Sequence, residues 1–296
     1  MFWFLWRPRA NLPRGLLVTL TNTIMAPKRG AGGLKTPSGT PKPSKKAKKS
    51  EDTSKKGAKK SDVSAKPSSA VSKSTKKGGG TSKKGESEVG EFIEVKCGES
   101  FYLTAPPPTR NGQGQLVFQD APSFRPNLTP EQVLQMGSFG GTYFRPIKSS
   151  VTGESHNQAW KELPAEWLEG LDIKKQVASS IYDTEVNKYK VKCGGSLEMW
   201  EQSGWILKQD PYGWFMWYCR YYRGRRTDDD ERQIGRWDRC TGLKGRWRNN
   251  LITKVFRAGA SYDAAVVSPV VRQTLQHWGY ELTKHDYDLG VKRIKK

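Results

Sequence analysis

The chain has 296 residues and a formal net charge of +22, carried by 51 Lys and Arg against 29 Asp and Glu. Its four cysteines, Cys97, Cys193, Cys219 and Cys240, show neither CxxC pairing nor metal-ligand spacing. That excludes zinc ribbons, zinc fingers and disulfide-dense scaffolds, and leaves reduced, mostly buried thiols as the reading.

The charge is concentrated. Residues 1–24 sum to +3, residues 25–85 to +15, and everything after them to only +4. The first 24 residues are apolar, Arg-bearing and free of acids, as in a mitochondrial or plastid transit peptide, and the basic group behind MFWFLW reverses the order of a secretory signal. The apolar run over 15–25 is shorter than the about 20 residues of a membrane span, so no membrane association is expected. Met25-Ala26-Pro27-Lys28 also reads as a start, which would make 1–24 a gene-model extension.

Residues 25–85 consist almost entirely of Lys, Ser, Gly, Pro, Ala and Thr. Such a segment buries too little apolar surface to offset its ordering entropy, so a disordered basic tail is expected. Its lysines come in doublets, among them Lys45-Lys46, Lys48-Lys49, Lys55-Lys56 and Lys59-Lys60, and these eight are the tail's candidate nucleic-acid contacts. The stretch from Pro43 to Lys49 has the form of a basic nuclear-import signal. In composition alone, the tail resembles those of linker histones and other chromatin proteins. Repulsion on this scale calls for a polyanionic partner.

Residues 86–128 read as a small β-containing entry segment, with a hairpin of Glu91–Lys96 and Ser100–Thr104 around Cys97-Gly98-Glu99 and a further strand within Gly114–Gln119. Residues 129–290 read as a Trp-rich helical domain. Thr129-Pro130-Glu131-Gln132 has the spacing of a capping box and opens a short helix closed by Gly137. Ser196 caps another, ended by Gly204. In Trp214–Arg223 the aromatic positions surround the helix, which predicts a buried central element. Thr227 is expected to cap a helix beginning Asp228-Asp229-Asp230-Glu231. Arg246–Arg257 is a further helix, and a last one runs from Ser268-Pro269 through Leu275 and Trp278 to Leu282. The fold class expected is mostly α, a small α+β protein: a compact helical bundle with a minor N-terminal β-hairpin, behind a disordered basic tail.

The segments GSFGGTYF (137–144), DPYGWFMWYCRYYRGRR (210–226), DERQIGRW (230–237) and RQTLQHWGY (272–280) resemble a widespread domain family without an established activity. The resemblance covers roughly residues 130–285, implies one coherent domain and supplies no catalytic residues.

Residues 212–258 hold twelve Lys/Arg against five acids. Arg225, Arg226, Arg232, Arg236, Arg239, Arg246 and Arg248 are the domain's candidate nucleic-acid contacts, because arginine grips phosphate with two donors and stacks on rings. The same arginines are open to an internal role, pairing with nearby acids or covering tryptophan faces. The acid run 228–231 is read as helix capping, with a metal-binding nuclease cluster as the alternative. His277 is read as a satisfied or surface histidine, and Gly137–Gly141 as a backbone turn with anion binding as the alternative. There is no nucleophile elbow, P-loop, dinucleotide fingerprint or HExxH, and no cofactor or metal is assigned. The function expected is sequence-nonspecific nucleic-acid binding in the nucleus, DNA ahead of RNA; a protein-interaction module with a targeting tail and a nucleic-acid-processing enzyme are the alternatives. A genuine transit peptide would redirect the chain to mitochondrion or plastid.

Overall fold

A computed structural model describes residues 89–295. The leader and the lysine-rich segment, with their eight candidate lysines, lie outside the described residues. Within them the regular structure is mostly helical, with three small antiparallel strand pairs. The expected hairpin is present as β1 (Phe92–Ile93) and β2 (Phe101–Tyr102), in the register Phe92↔Tyr102 and Ile93↔Phe101. Its ladder is shorter than the sequence pattern predicts. β3 (Thr109–Arg110) pairs with β4 (Leu116–Val117), which supplies the strand expected in 114–119. β5 (Ile147–Lys148) and β6 (Ser155–His156) form a third pair that no alternation pattern announced.

Helix α1 (Pro130–Gln135) starts at the predicted capping box: the Thr129 side chain accepts from the Gln132 N–H at 3.1 Å, and the Gln132 side chain accepts from the Thr129 N–H at 2.9 Å. Between α1 and α2 (Leu197–Gln202) the chain runs through short 3-10 turns and one π turn at Ile173–Val177. Ser196 caps α2 as expected, accepting from the Met199 N–H.

Helix α3 (Trp214–Arg223) is the buried centre, with every residue from Trp214 to Tyr221 inside. The Phe124 ring packs edge-on against Trp214, Tyr218, Tyr221 and Trp237, an arrangement the ring quadrupoles favour. Helix α4 (Asp230–Thr241) begins later than the Thr227 cap implied. Thr227 instead closes a tight turn before it: its hydroxyl accepts from the Asp229 N–H, and its own N–H donates to Asp230 Oδ2.

A second apolar cluster joins Leu251, Ile252 and Val255 of α5 (Arg246–Arg257) to Val271 and Leu275 of α6 (Pro269–His277) and to Tyr280 and Leu282. The last helix expected, running from 268 to 282, is shorter than that, and a further helix follows it. α6 ends at His277, the chain turns through Gly279, and Thr283 caps α7 (Lys284–Ile294), which extends past the domain end expected at 290. α7 crosses α5 at Gly290, where a Cβ would stand 2.7 Å from Ile252 Cδ1. Among the described residues no helix is long and apolar enough to cross a membrane.

Candidate nucleic-acid interface

The arginines singled out in the sequence divide into those that hold the fold together and those that face outward. Arg225 belongs to the first group: it is 2% exposed, and its Nη2 meets Asp210 Oδ2 at 2.6 Å. Asp210 also takes Arg220 at 3.0 Å, and Glu162 grips Arg220 with both oxygens, at 2.8 and 2.6 Å. Arg220 completes its donors on the carbonyls of Gln209 and Cys97. Two carboxylates therefore balance two guanidiniums inside the domain, and the Cys97 contact ties the β1–β2 turn to α3. The Phe101 ring lies 5.5 Å from both guanidiniums. This is the physical content of the DPYGW…CRYYRGRR segment: Asp210, Arg220 and Arg225 are one buried knot.

Arg248 is likewise buried, bound to Asp286 Oδ1 at 2.6 Å, while Tyr280 donates to the other oxygen of that carboxylate at 2.7 Å. Arg236 lies between the Trp205 and Trp278 rings at 5.4 and 5.5 Å and donates to Gln233. Burial, helped by the charge of Arg232, lowers the Arg236 guanidinium to about 10. These three residues leave the expected binding face. Arg226 is half-buried, clasped to Asp120 and stacked 3.8 Å over Tyr221. Arg232 is held by both oxygens of Asp229. Arg239 and Arg246 remain outward.

Two members of the acid run are spent locally, while Asp228 and Glu231 are exposed. Asp229 binds Arg232 and the Gln233 amide, and Asp230 accepts from Trp217 Nε1 at 2.8 Å and from Thr227. The run does not line the open cleft of about 460 Å³ whose walls include Gln135, Gly137, Asp172, Asp183 and Glu185.

The Gly137–Gly141 segment is a turn, and most of its backbone donors are taken, while the buried Ser138 hydroxyl has no partner. Phe139 N donates to His277 Nε2 at 2.9 Å and Gly140 N to Asn187 Oδ1 at 2.8 Å. Gly137 has φ 88°, and a Cβ there would stand 2.0 Å from the Val186 carbonyl oxygen, so only glycine fits. His277 is buried and stacked 4.0 Å over Phe139, and burial lowers it to about 3. It is a neutral ring accepting at Nε2. Gln273 and Gln276 extend the same network to the carbonyls of Gly137 and Val133. The RQTLQHWGY segment thus supplies the amides and imidazole that hold the 137–141 turn.

The outward charge lies elsewhere, on α5. Between Asp238 and Asp263 the chain has no acid and six bases. Two, Arg239 and Lys244, precede the helix; Arg248 is turned inward; Arg246, Lys254 and Arg257 are exposed. At 100° per residue, Arg246, Asn250, Thr253 and Arg257 fall on one line, opposite the buried Leu251, Ile252 and Val255. α7 adds Lys292, Arg293 and Lys295 beside it. Arg293 reaches the Leu243 carbonyl at 2.9 Å and Asn249 Oδ1 at 3.2 Å, which fixes the two helices' basic ends together. Lys254, Arg257, Lys292, Arg293 and Lys295 were missed by sequence reasoning; the i, i+4, i+7, i+11 line through Arg246 is the signal that finds part of them. No protein-family model matches the chain, and no curated protein or solved structure is significantly similar to it.

Proposed function

We propose that the protein binds nucleic acid without sequence preference, DNA ahead of RNA, with the lysine-rich segment supplying affinity and the α5–α7 face orienting the domain. The observation that carries this reading is the acid-free exposed face of α5, an ordered positive surface beside a chain that holds eighteen Lys/Arg in residues 25–85. Lysines along the segment release counterions from the polyanion, a term indifferent to base sequence. Exposed Arg246, Lys254 and Arg257 reach phosphates and set the domain's register on the strand. Two of the neutral polar side chains beside them are occupied: Asn249 donates to the Leu243 and Gly245 carbonyls, and Thr253 donates to the Asn249 carbonyl, while Asn250 Oδ1 has no partner. That supports backbone contact over base reading. None of the nine tryptophans among the described residues is exposed; the exposed rings are Phe92 and Tyr102 of the β1–β2 pair, away from α5 in the sequence.

The experiment compares the full chain with one beginning at Glu86, across a salt titration on labelled DNA. The shortened chain should bind more weakly, with a slope of only a few charges. Changing Arg246, Lys254 and Arg257 together to Gln should reduce that residual slope by about 2.7, at about 0.9 per phosphate released. A shortened chain that binds no DNA at low salt would remove the domain from the proposal.

A further inference from the structure

We infer that the α5 face is a docking surface for single-stranded DNA, with Trp247 and Phe256 stacking unpaired bases while the surrounding cations hold phosphates. This rests on the nucleic-acid reading above and adds the form of the strand. The basic line of Arg246 and Arg257 spans eleven residues of α5, about 16 Å at the helical rise. An aromatic ring borders it on each side. Trp247 and Lys254 lie along one edge, Phe256 and Asn249 along the other, because 247 and 256 fall about half a turn apart on the helix. Each ring is half-buried and already carries a cation: the Arg246 guanidinium is 5.2 Å from the Trp247 centroid, and Lys295 Nζ is 5.8 Å from that of Phe256. Trp247 packs on the second core cluster, which holds the ring in place before any ligand arrives.

Charge selects the class of ligand. The acids nearest in chain to α7's basic end are both paired, Asp286 with buried Arg248 and Asp288 with Lys284 at 2.7 Å. A strand on this face therefore meets five exposed cations, Arg246, Lys254, Arg257, Lys292 and Lys295, and no unpaired carboxylate from α5 or α7. The rings then select the form. In a duplex the bases are stacked on one another, and only phosphates are offered to a convex helix. In a single strand a base face is available to lie on a ring, and arginine beside the ring stacks on the same base. Stacking is tolerant of base identity, which agrees with binding without sequence preference.

The test uses the full chain with a labelled mixed-sequence oligonucleotide, single-stranded and annealed to its complement, and reads the ratio of the two affinities. The wild-type chain should favour the single strand. Trp247→Leu and Phe256→Leu should each reduce that preference about tenfold, near the middle of the range for one stacked base, while duplex affinity is retained. Arg246→Gln should weaken both forms. Phe256→Leu acts on the opposite edge, so it decides the matter even where Trp247→Leu compromises folding. Equal wild-type affinity for the two forms, or a ratio unmoved by Phe256→Leu, overturns the inference and leaves nonspecific binding standing. Loss of all DNA binding by the wild-type chain at low salt overturns the parent reading as well.

Discussion

Removing the Asp210 carboxylate tests whether the buried knot holds the domain together. Asp210 is 1% exposed and lies between Arg220 and Arg225, at 3.0 and 2.6 Å. Asp210→Ala leaves two guanidiniums facing one remaining carboxylate, Glu162. Breaking a buried pair by deleting one partner costs about 3–5 kcal/mol, because an uncompensated charge stays inside. For a folded region of this size, about 2–4 °C of melting temperature is lost per kcal/mol, so the expected fall is about 6–20 °C. Urea denaturation followed by tryptophan fluorescence should show a lower midpoint with an unchanged slope. The loss should also be local first: Arg220 Nη2 donates to the Cys97 carbonyl, so backbone amides around β1 and β2 should exchange faster than those of α5. Asp210→Asn, which keeps an acceptor oxygen but not the charge, should fall between wild type and Asp210→Ala. A midpoint shift no larger than the about 0.5 kcal/mol typical of surface changes would refute the reasoning.

The other expectations concern the core, the turn and pH. Trp217→Ala should cost about 3–5 kcal/mol, since the ring is fully buried and its loss also strips a donor from Asp230; calorimetry showing an unchanged melting temperature would contradict this. Gly137→Ala should abolish cooperative unfolding or lower the midpoint sharply, because its Cβ would overlap the Val186 carbonyl; wild-type denaturation would disprove the close approach. His277 is held down to about 3 by burial, against 6.5 when free. Between those values the unfolded chain takes up a proton that the fold refuses, so stability falls as pH drops from 6.5 toward 3, by up to about 1.4 kcal/mol per pH unit from this residue. Urea midpoints over that range should lose this part of their slope in His277→Gln, and an identical slope would place the imidazole elsewhere.

The parts of the fold written locally were legible. Thr129 and Ser196 announce their helices because a cap and its partner lie three residues apart. Trp214–Arg223 declares itself central because its apolar residues leave no polar face. α7 escaped because its core-facing positions are occupied by Asp286 and Gly290, which carry no hydrophobic signal. The Gly137–Gly141 turn was legible in its glycines, but the side chains that hold it were not, because they lie far away in sequence: Phe139 to His277, Gly140 to Asn187. The arginine face failed for the same reason. A charge count over 212–258 cannot see that Arg226 answers to Asp120 or Arg248 to Asp286. What it could show was the missing acid between 238 and 263, where the exposed Arg246, Lys254 and Arg257 lie.

The most direct test of nucleic-acid binding is the affinity of the full chain for DNA, measured from low to physiological salt. If the lysine-rich segment and the α5–α7 face together neutralise about 10 phosphates, affinity should fall by about 10⁵ between 50 and 200 mM salt, with a log–log slope of about −9. Affinity no greater than that of a neutral protein, or a slope near zero, would contradict the account.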